Sequence, residues 1–222
     1  ALCHCALANL EAMERIRADR DGWWIGAEGF TCPMPAGPEH VAEAERIRGL
    51  AWAVWDLHFG VPMSPETERH FRGVDDGLRR RIEALATRAN TIAGHDFYPV
   101  SVHVVGGALD AWSIEERLAA YETTARRWHE RYGVDFWVAE TSNLGLGVDR
   151  QQAWLAAFAT RLRGMRDRGL PVRGLCWYSR GDQYDWDTAL SRPIRRVTEV
   201  GLFDAERRPR PVATAFAALA RS

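Results

Sequence analysis

At 222 residues the chain is the size of one ordinary domain, and its 46% hydrophobic and 27% charged residues are those of a soluble globular protein. The 29 basic residues nearly balance 30 acidic ones, leaving a formal net charge of -1, which argues against nucleic-acid binding by phosphate neutralisation; no apolar run reaches the roughly 18 residues of a membrane helix. Every basic residue is arginine, so a Walker-type phosphate loop, a pyridoxal phosphate Schiff base and a kinase-type lysine are excluded.

The chain opens in a helical pattern with Leu2, Leu7, Leu10, Met13 and Ile16 near helical spacing, and Asp21-Gly22 reads as its stop. It has no initiator methionine and begins inside this helix, so the expectation is that something upstream has been removed. Trp23 to Ala27 reads as a short buried strand, and Cys32-Pro33-Met34-Pro35 as a loop. A helix over 38–59 follows, then breakers at Gly60, Pro62 and Pro65, then a second helix over 65–88. Thr91 to Tyr98 is the next strand, stopped by Pro99. Ser113 and Glu116 form a capping-box signature for a helix over 114–131. Phe136 to Ala139 is a third strand, a helix over 150–168 ends at Gly169, Val172 to Tyr178 is a fourth strand, and 211–220 a last helix.

Alternating strands and helices predict right-handed βαβ units with a parallel sheet. No repeat or linker divides the chain, so 1–222 reads as a single domain. Four strands cannot close a (β/α)8 barrel, which needs eight and about 250 residues. The chain is either a small open sheet or part of a barrel. A flavodoxin-like sheet ranks last, because no G-x-G-x-x-G follows the first strand.

The four cysteines, Cys3, Cys5, Cys32 and Cys176, show no zinc spacing. Cys3-His4-Cys5 does not converge on one ligand when read as a helix. The expectation is no metal site, no cofactor, and reduced thiols in the cytoplasm. No basic stretch precedes an apolar one as in a signal peptide. Ten tryptophans against five tyrosines demand either a deep core or a ligand to stack on.

In parallel α/β folds ligands meet the carboxyl ends of the strands. Those positions hold Glu28, then Asp96 with Tyr98, then Glu140 with Asn143, then Tyr178, Asp182, Asp185 and Trp186. Carboxylates bind hydroxyls and tryptophan faces stack on sugar rings, so the set suits a polyol. Glu140 stands out because it directly follows an apolar run, where a charge is expensive to bury. It reads equally as a cap for the amides of the next loop. Tyr98 reads equally as a core aromatic, and Glu28, Asp182 and Asp185 as solvated acids. His58, His70 and His129 fall on helices, and the arginine runs at 79–81 and 195–196 read as solvated faces.

Phe136-Trp137-Val138-Ala139-Glu140 resembles the strand-seven motif of family 1 glycoside hydrolases, the β-glucosidase group with a (β/α)8 barrel. Gly94-His95-Asp96-Phe97-Tyr98 is similar to its strand-six Gly-x-Asn-Tyr-Tyr motif. Tyr178 to Trp186 resembles the Trp-Ser-Leu-x-Asp-Asn-Phe-Glu-Trp motif after strand eight, and Gly201-Leu202-Phe203-Asp204 the closing segment. The resemblance covers roughly residues 12–218. It implies the C-terminal half of a TIM-type barrel with about four parallel strands. Glu140 would then be the catalytic nucleophile, Tyr98 its hydrogen-bond partner, and Asp96, Tyr178, Asp185 and Trp186 sugar-binding residues for a small glycoside.

The sequence also departs from the family. Asp96 replaces asparagine, Tyr178 a tryptophan and Asp185 a glutamate, and Thr141-Ser142 stands where Asn-Gly is usual. The family's acid/base glutamate lies in an Asn-Glu-Pro motif after strand four; no Asn-Glu pair occurs here. General acid catalysis typically contributes about 10² to 10⁴-fold, so the expectation is a retaining β-glycosidase-like chain that is incomplete as it stands. The alternative is a non-catalytic sugar-binding or interaction module of the same fold. A half barrel also leaves open sheet edges, so it should pair with a second copy or with a missing N-terminal half.

Overall fold

The computed structural model describes residues 1–19, 23–186 and 191–221. Helix α1 (Leu2–Asp19) leads into β1 (Trp24–Gly29) and β2 (Cys32–Pro35). Three helices follow, α2 (Val41–Phe59), α3 (Pro65–Arg69) and α4 (Asp76–Leu85). The chain continues through β3 (Thr91–Asp96), β4 (Val102–Val105), α5 (Ile114–Tyr132), β5 (Asp135–Thr141), α6 (Gln151–Asp167) and β6 (Val172–Trp177). A hairpin of β7 (Gln183–Tyr184) and β8 (Val197–Thr198) precedes α7 (Pro211–Leu219).

Four strands form the main sheet in the order β1-β3-β5-β6, and every pair is parallel. Sheet order follows chain order, so the winding never reverses. A doubly wound sheet needs such a reversal, and its absence removes the flavodoxin-like reading. Right-handed crossovers that progress one way place their helices on one side of the sheet. Accordingly α2, α5 and α6 share a single apolar core with Ala93, Phe136, Val138 and Val172 of the strands.

That core accounts for five of the ten tryptophans. Trp52, Trp55, Trp128, Trp154 and Trp177 are buried in it, and Trp55, Phe59, Trp128 and Tyr132 pack on one another at ring separations of 4.9–6.1 Å. His95 is wholly buried between the rings of Phe30 (3.8 Å) and Phe136 (4.8 Å), and burial pushes its imidazole well below the usual range. It is a neutral member of the aromatic stack. A second core joins Cys3, Leu7, Leu10 and Met13 of α1 to Ala53, Phe71 and Ile82.

Several expectations need correction. Ile16 is 53% exposed, so the apolar face of α1 ends at Met13; the expected stop at Asp21-Gly22 lies outside the described residues. The strand at 23–27 is not buried: Trp23 and Ile25 are 62% and 55% exposed. It is an outer strand with helices on one face only, and Ile25 and Ala27 lie on the uncovered face. The helix over 65–88 is two helices. Gly73 takes a left-handed φ of 81° between them, and the Asp75 carboxylate caps α4 by accepting from the Leu78 N–H at 2.9 Å.

The Cys32–Pro35 loop is a strand, paired in parallel with β4 just beyond the carboxyl ends of β1 and β3. Its two prolines alternate, so both missing donors fall on one edge and the other edge remains able to pair. The capping box before α5 is present, with the Ser113 N–H donating to Glu116 at 2.7 Å. Among the described residues no helix is long and apolar enough to cross a membrane.

Candidate active site

The candidate residues gather where β3 and β5 end. The register pairs His95 with Val138 but Asp96 with Glu140, so Ala139 is an extra residue in β5. This bulge decides where Glu140 goes. Val138 is buried in the helix-side core, and Thr141 is held on that side by the Trp154 indole, which donates to its Oγ1 at 3.0 Å. Two residues rather than one separate them, which re-aims Glu140 beside Asp96. Gly94 makes the turn sterically feasible. A Cβ there would lie 2.7 Å from the Ala139 methyl and 2.9 Å from that of Ala27.

The strand ladder runs on past the formal strand ends. The Phe97 N–H donates to the Glu140 carbonyl at 2.9 Å, and the Tyr178 N–H to the Thr141 carbonyl at 2.8 Å. Tyr98 and Tyr178 are thereby fixed on either side of Glu140. The Tyr98 phenol donates to Glu140 Oε2 at 2.6 Å. Burial, together with the neighbouring Glu140 charge, pushes that phenol far above its ordinary range, so it keeps its proton and stays a donor. Trp186 closes the group, with its ring 5.7 Å from that of Tyr98 and 5.2 Å from that of Tyr178. The Tyr178–Ser179 peptide is cis.

Three carboxylates share this end of the sheet. Burial, then the charges of Glu140 and Glu28, raises the Asp96 carboxyl to about 6. Its Oδ1 is buried with no hydrogen-bond partner. Burial alone raises Glu28. Cys176 of β6 also lies within reach of the Glu140 charge, which adds to burial in raising its thiol. Its apolar strand context hid it from sequence reasoning; only its place on the strand facing β5 could have marked it.

The remaining candidates go elsewhere. Both Asp185 oxygens accept backbone N–H groups, from Ile194 at 3.1 Å and Arg196 at 2.8 Å. Asp182 accepts from the Gly201 N–H at 3.0 Å and from Arg210 at 2.6 Å in a buried ion pair. Asn143 is buried and bonded to the Glu199 carbonyl (3.1 Å) and to Gln151 (3.1 Å), tying the loop after β5 to the C-terminal segment. Among the described residues no three His, Cys, Asp or Glu side chains are placed to hold a metal ion.

What this arrangement can do follows from its parts. A phenol-bound carboxylate is oriented with one oxygen held and the other available, as a nucleophile must be. The aromatic rings offer flat apolar faces, and Asp96 supplies a proton donor or a charge depending on pH.

By sequence, no protein-family model and no curated protein matches the chain. By structure, a β-glucosidase from Thermotoga maritima in complex with deoxynojirimycin superposes on 99% of this chain with a TM-score of 0.79 at 12% identity. A β-glucosidase from Exiguobacterium marinum does so on 99% with a TM-score of 0.71 at 15% identity. The virulence factor SghA in complex with its substrate analog salicin does so on 99%, with a TM-score of 0.78 at 16% identity. The matched regions are 55%, 56% and 55% of those chains, so this sequence spans little more than half their length. The four-stranded sheet with its one-sided helices therefore has the fold of about half a family 1 β-glucosidase barrel.

Proposed function

We propose that this chain, folding as a single domain, carries the nucleophile side of a retaining β-glycosidase that acts on β-O-glycosides. The observation that carries the reading is the 2.6 Å bond from the Tyr98 phenol to Glu140, at a strand end lined by Asp96, Tyr178 and Trp186. In this reading Glu140 attacks the anomeric carbon of the sugar. The bond from that carbon to the leaving oxygen breaks, its electron pair departs with the oxygen, and a glycosyl ester forms on Glu140; water then hydrolyses the ester. Tyr98 keeps the attacking carboxylate in one orientation, and Trp186 and Tyr178 supply the stacking surface.

An alkoxide leaving group must be protonated by a second carboxyl about 5 to 5.5 Å from the nucleophile. The 222 residues contain no Asn-Glu pair to supply it. The test therefore uses a sugar that needs no acid. A 2-deoxy-2-fluoro-β-glucoside with a dinitrophenolate leaving group should add one fluoroglycosyl group to the chain, located on Glu140 by peptide mass spectrometry, and Glu140→Gln should take up none. Labelling at another residue of the folded protein overturns the assignment.

A second reading, a sugar-binding module without turnover, is favoured by the engagement of both Asp185 oxygens by backbone amides. Saturable calorimetric binding of glycosides with no labelling would select it.

A further inference from the structure

Several acids of this arginine-rich protein are met by guanidinium groups. Glu45 pairs with Arg48 and Arg127, Asp56 with Arg131, Glu122 with Arg161 and Arg168, and Asp182 with Arg210. The acids at the strand ends are not. Among the described residues, no basic side chain forms an ion pair or hydrogen bond with Glu28, Asp96 or Glu140. Glu140 has one neutral donor, the Tyr98 phenol. Asp96 has none, and its Oδ1 is buried and unpartnered.

Burial and the charges of Glu140 and Glu28 both act on Asp96, and among the described residues no basic side chain bonds to it to offset them. A ligand that brings a positive charge relieves both. A neutral sugar hydroxyl offers a hydrogen bond but leaves the charge excess in place. The wall of the site favours the same chemistry. Tyr98, Trp186 and Tyr178 form a contiguous aromatic surface with ring separations of 5.7 and 5.2 Å, and aromatic faces attract ammonium groups as well as sugar rings. A resident metal ion is a poorer fit, since among the described residues no three ligating side chains converge.

We propose that the site selects a cationic glycoside, an amino sugar whose ammonium group sits against Asp96 while its ring stacks on the aromatic surface. The proposal rests on the glycosidase-like reading of the site and adds to it the substrate class. Asp96 is the selecting residue, because Glu140 is committed to the anomeric carbon in that reading. The groups whose charge reaches Asp96 are Glu140 from β5 and Glu28 from β1, and the Tyr98 phenol lies within reach of it from its own strand end. Beyond them, Cys176 of β6 lies within reach of the Glu140 charge and the Tyr178 phenol within reach of Tyr98. All are neutral or negative, so among the described residues no basic group is bonded where the ammonium would sit.

The experiment is calorimetric titration of the folded chain with methyl 2-amino-2-deoxy-β-glucoside and with methyl β-glucoside, across about pH 5 to 7, where the amine carries its proton. The expected result is tighter binding of the amino sugar at the upper end, by about tenfold or more. The gap should narrow as pH falls through about 6, because Asp96 then takes up a proton and ceases to be an anion. Asp96→Asn should remove most of the preference, read as the ratio of the two affinities, together with its pH dependence. Equal affinities, or a preference that Asp96→Asn leaves intact, overturn the proposal. Binding of neither glycoside overturns it as well; labelling of Glu140 by the fluorinated sugar then shows whether the glycosidase reading survives without it.

Discussion

Two groups of acids lie beyond strand ends in this molecule, and they are used in opposite ways. Asp182 and Asp185, after β6, spend their oxygens on Arg210 and on the backbone amides of Gly201, Ile194 and Arg196. Among the described residues, the carboxylates of Glu28, Asp96 and Glu140, at the ends of β1, β3 and β5, receive a single hydrogen bond between them, from Tyr98. The first group holds a segment that has little regular structure of its own. The second is held by the sheet and asks for a ligand. Residue type does not separate them; satisfaction of the carboxylate oxygens does.

The comparison breaks first at Asp182. Its ion pair is buried on both sides, with 2% and 12% of the side chains exposed. Removing one partner of such a pair typically costs about 3–5 kcal/mol. Asp182→Ala should lower the urea midpoint accordingly and loosen the segment beyond residue 196, seen as faster amide exchange at Gly201. If stability falls by less than about 1 kcal/mol, the ion pair is not what holds that segment.

Tyr98→Phe probes the other group. Losing a hydrogen bond to a charged acceptor costs about 1.5–3 kcal/mol. The rate at which the fluorinated glycoside labels Glu140 should therefore fall about tenfold to a hundredfold, with the urea midpoint changed much less than by Asp182→Ala. An unchanged labelling rate would mean that the phenol does not position the carboxylate.

The smallest effect is the most diagnostic. The Asp96 carboxyl is raised from 3.8 to about 6 in the folded chain. Relative to its neutral form it therefore costs stability progressively as pH rises between those values, and the cost stays level above about 6. Asp96→Asn, which cannot ionise, should melt higher than the parent at pH 7. That advantage should shrink on acidification and vanish near pH 4. A gap that grows on acidification would reverse the sign of the shift.

The sequence carried the sheet because each of its main strands is a short apolar run beside a helix with regular spacing, as at Phe136 to Ala139. Glu140 was legible because it ends such a run, and its pairing with Tyr98 only through the resemblance of the two strand motifs to those of family 1 glycoside hydrolases. Asp185 read as a solvated acid in a loop or, by the resemblance, as a sugar-binding residue, whereas its bonding depends on amides nine and eleven residues away that no local pattern announces. The pairing of Cys32–Pro35 with Val102–Val105 was hidden by prolines that ordinarily signal a loop. The exposure of Trp23 and Ile25 was hidden because an apolar run looks the same whether one face of its strand is covered or two. The bulge at Ala139 was equally invisible, since it arises from a misfit between two distant strands.

The agreement of sheet order with chain order has a kinetic side as well. Each of the three strand pairings closes only the loop made by one crossover. A closed ring of strands must in addition bring its first and last members together across its entire length, at an entropic cost that grows with the logarithm of the span. Within residues 24–177 no pairing joins β1 to β6, so these four strands can assemble by simple accretion from whichever βαβ unit forms first.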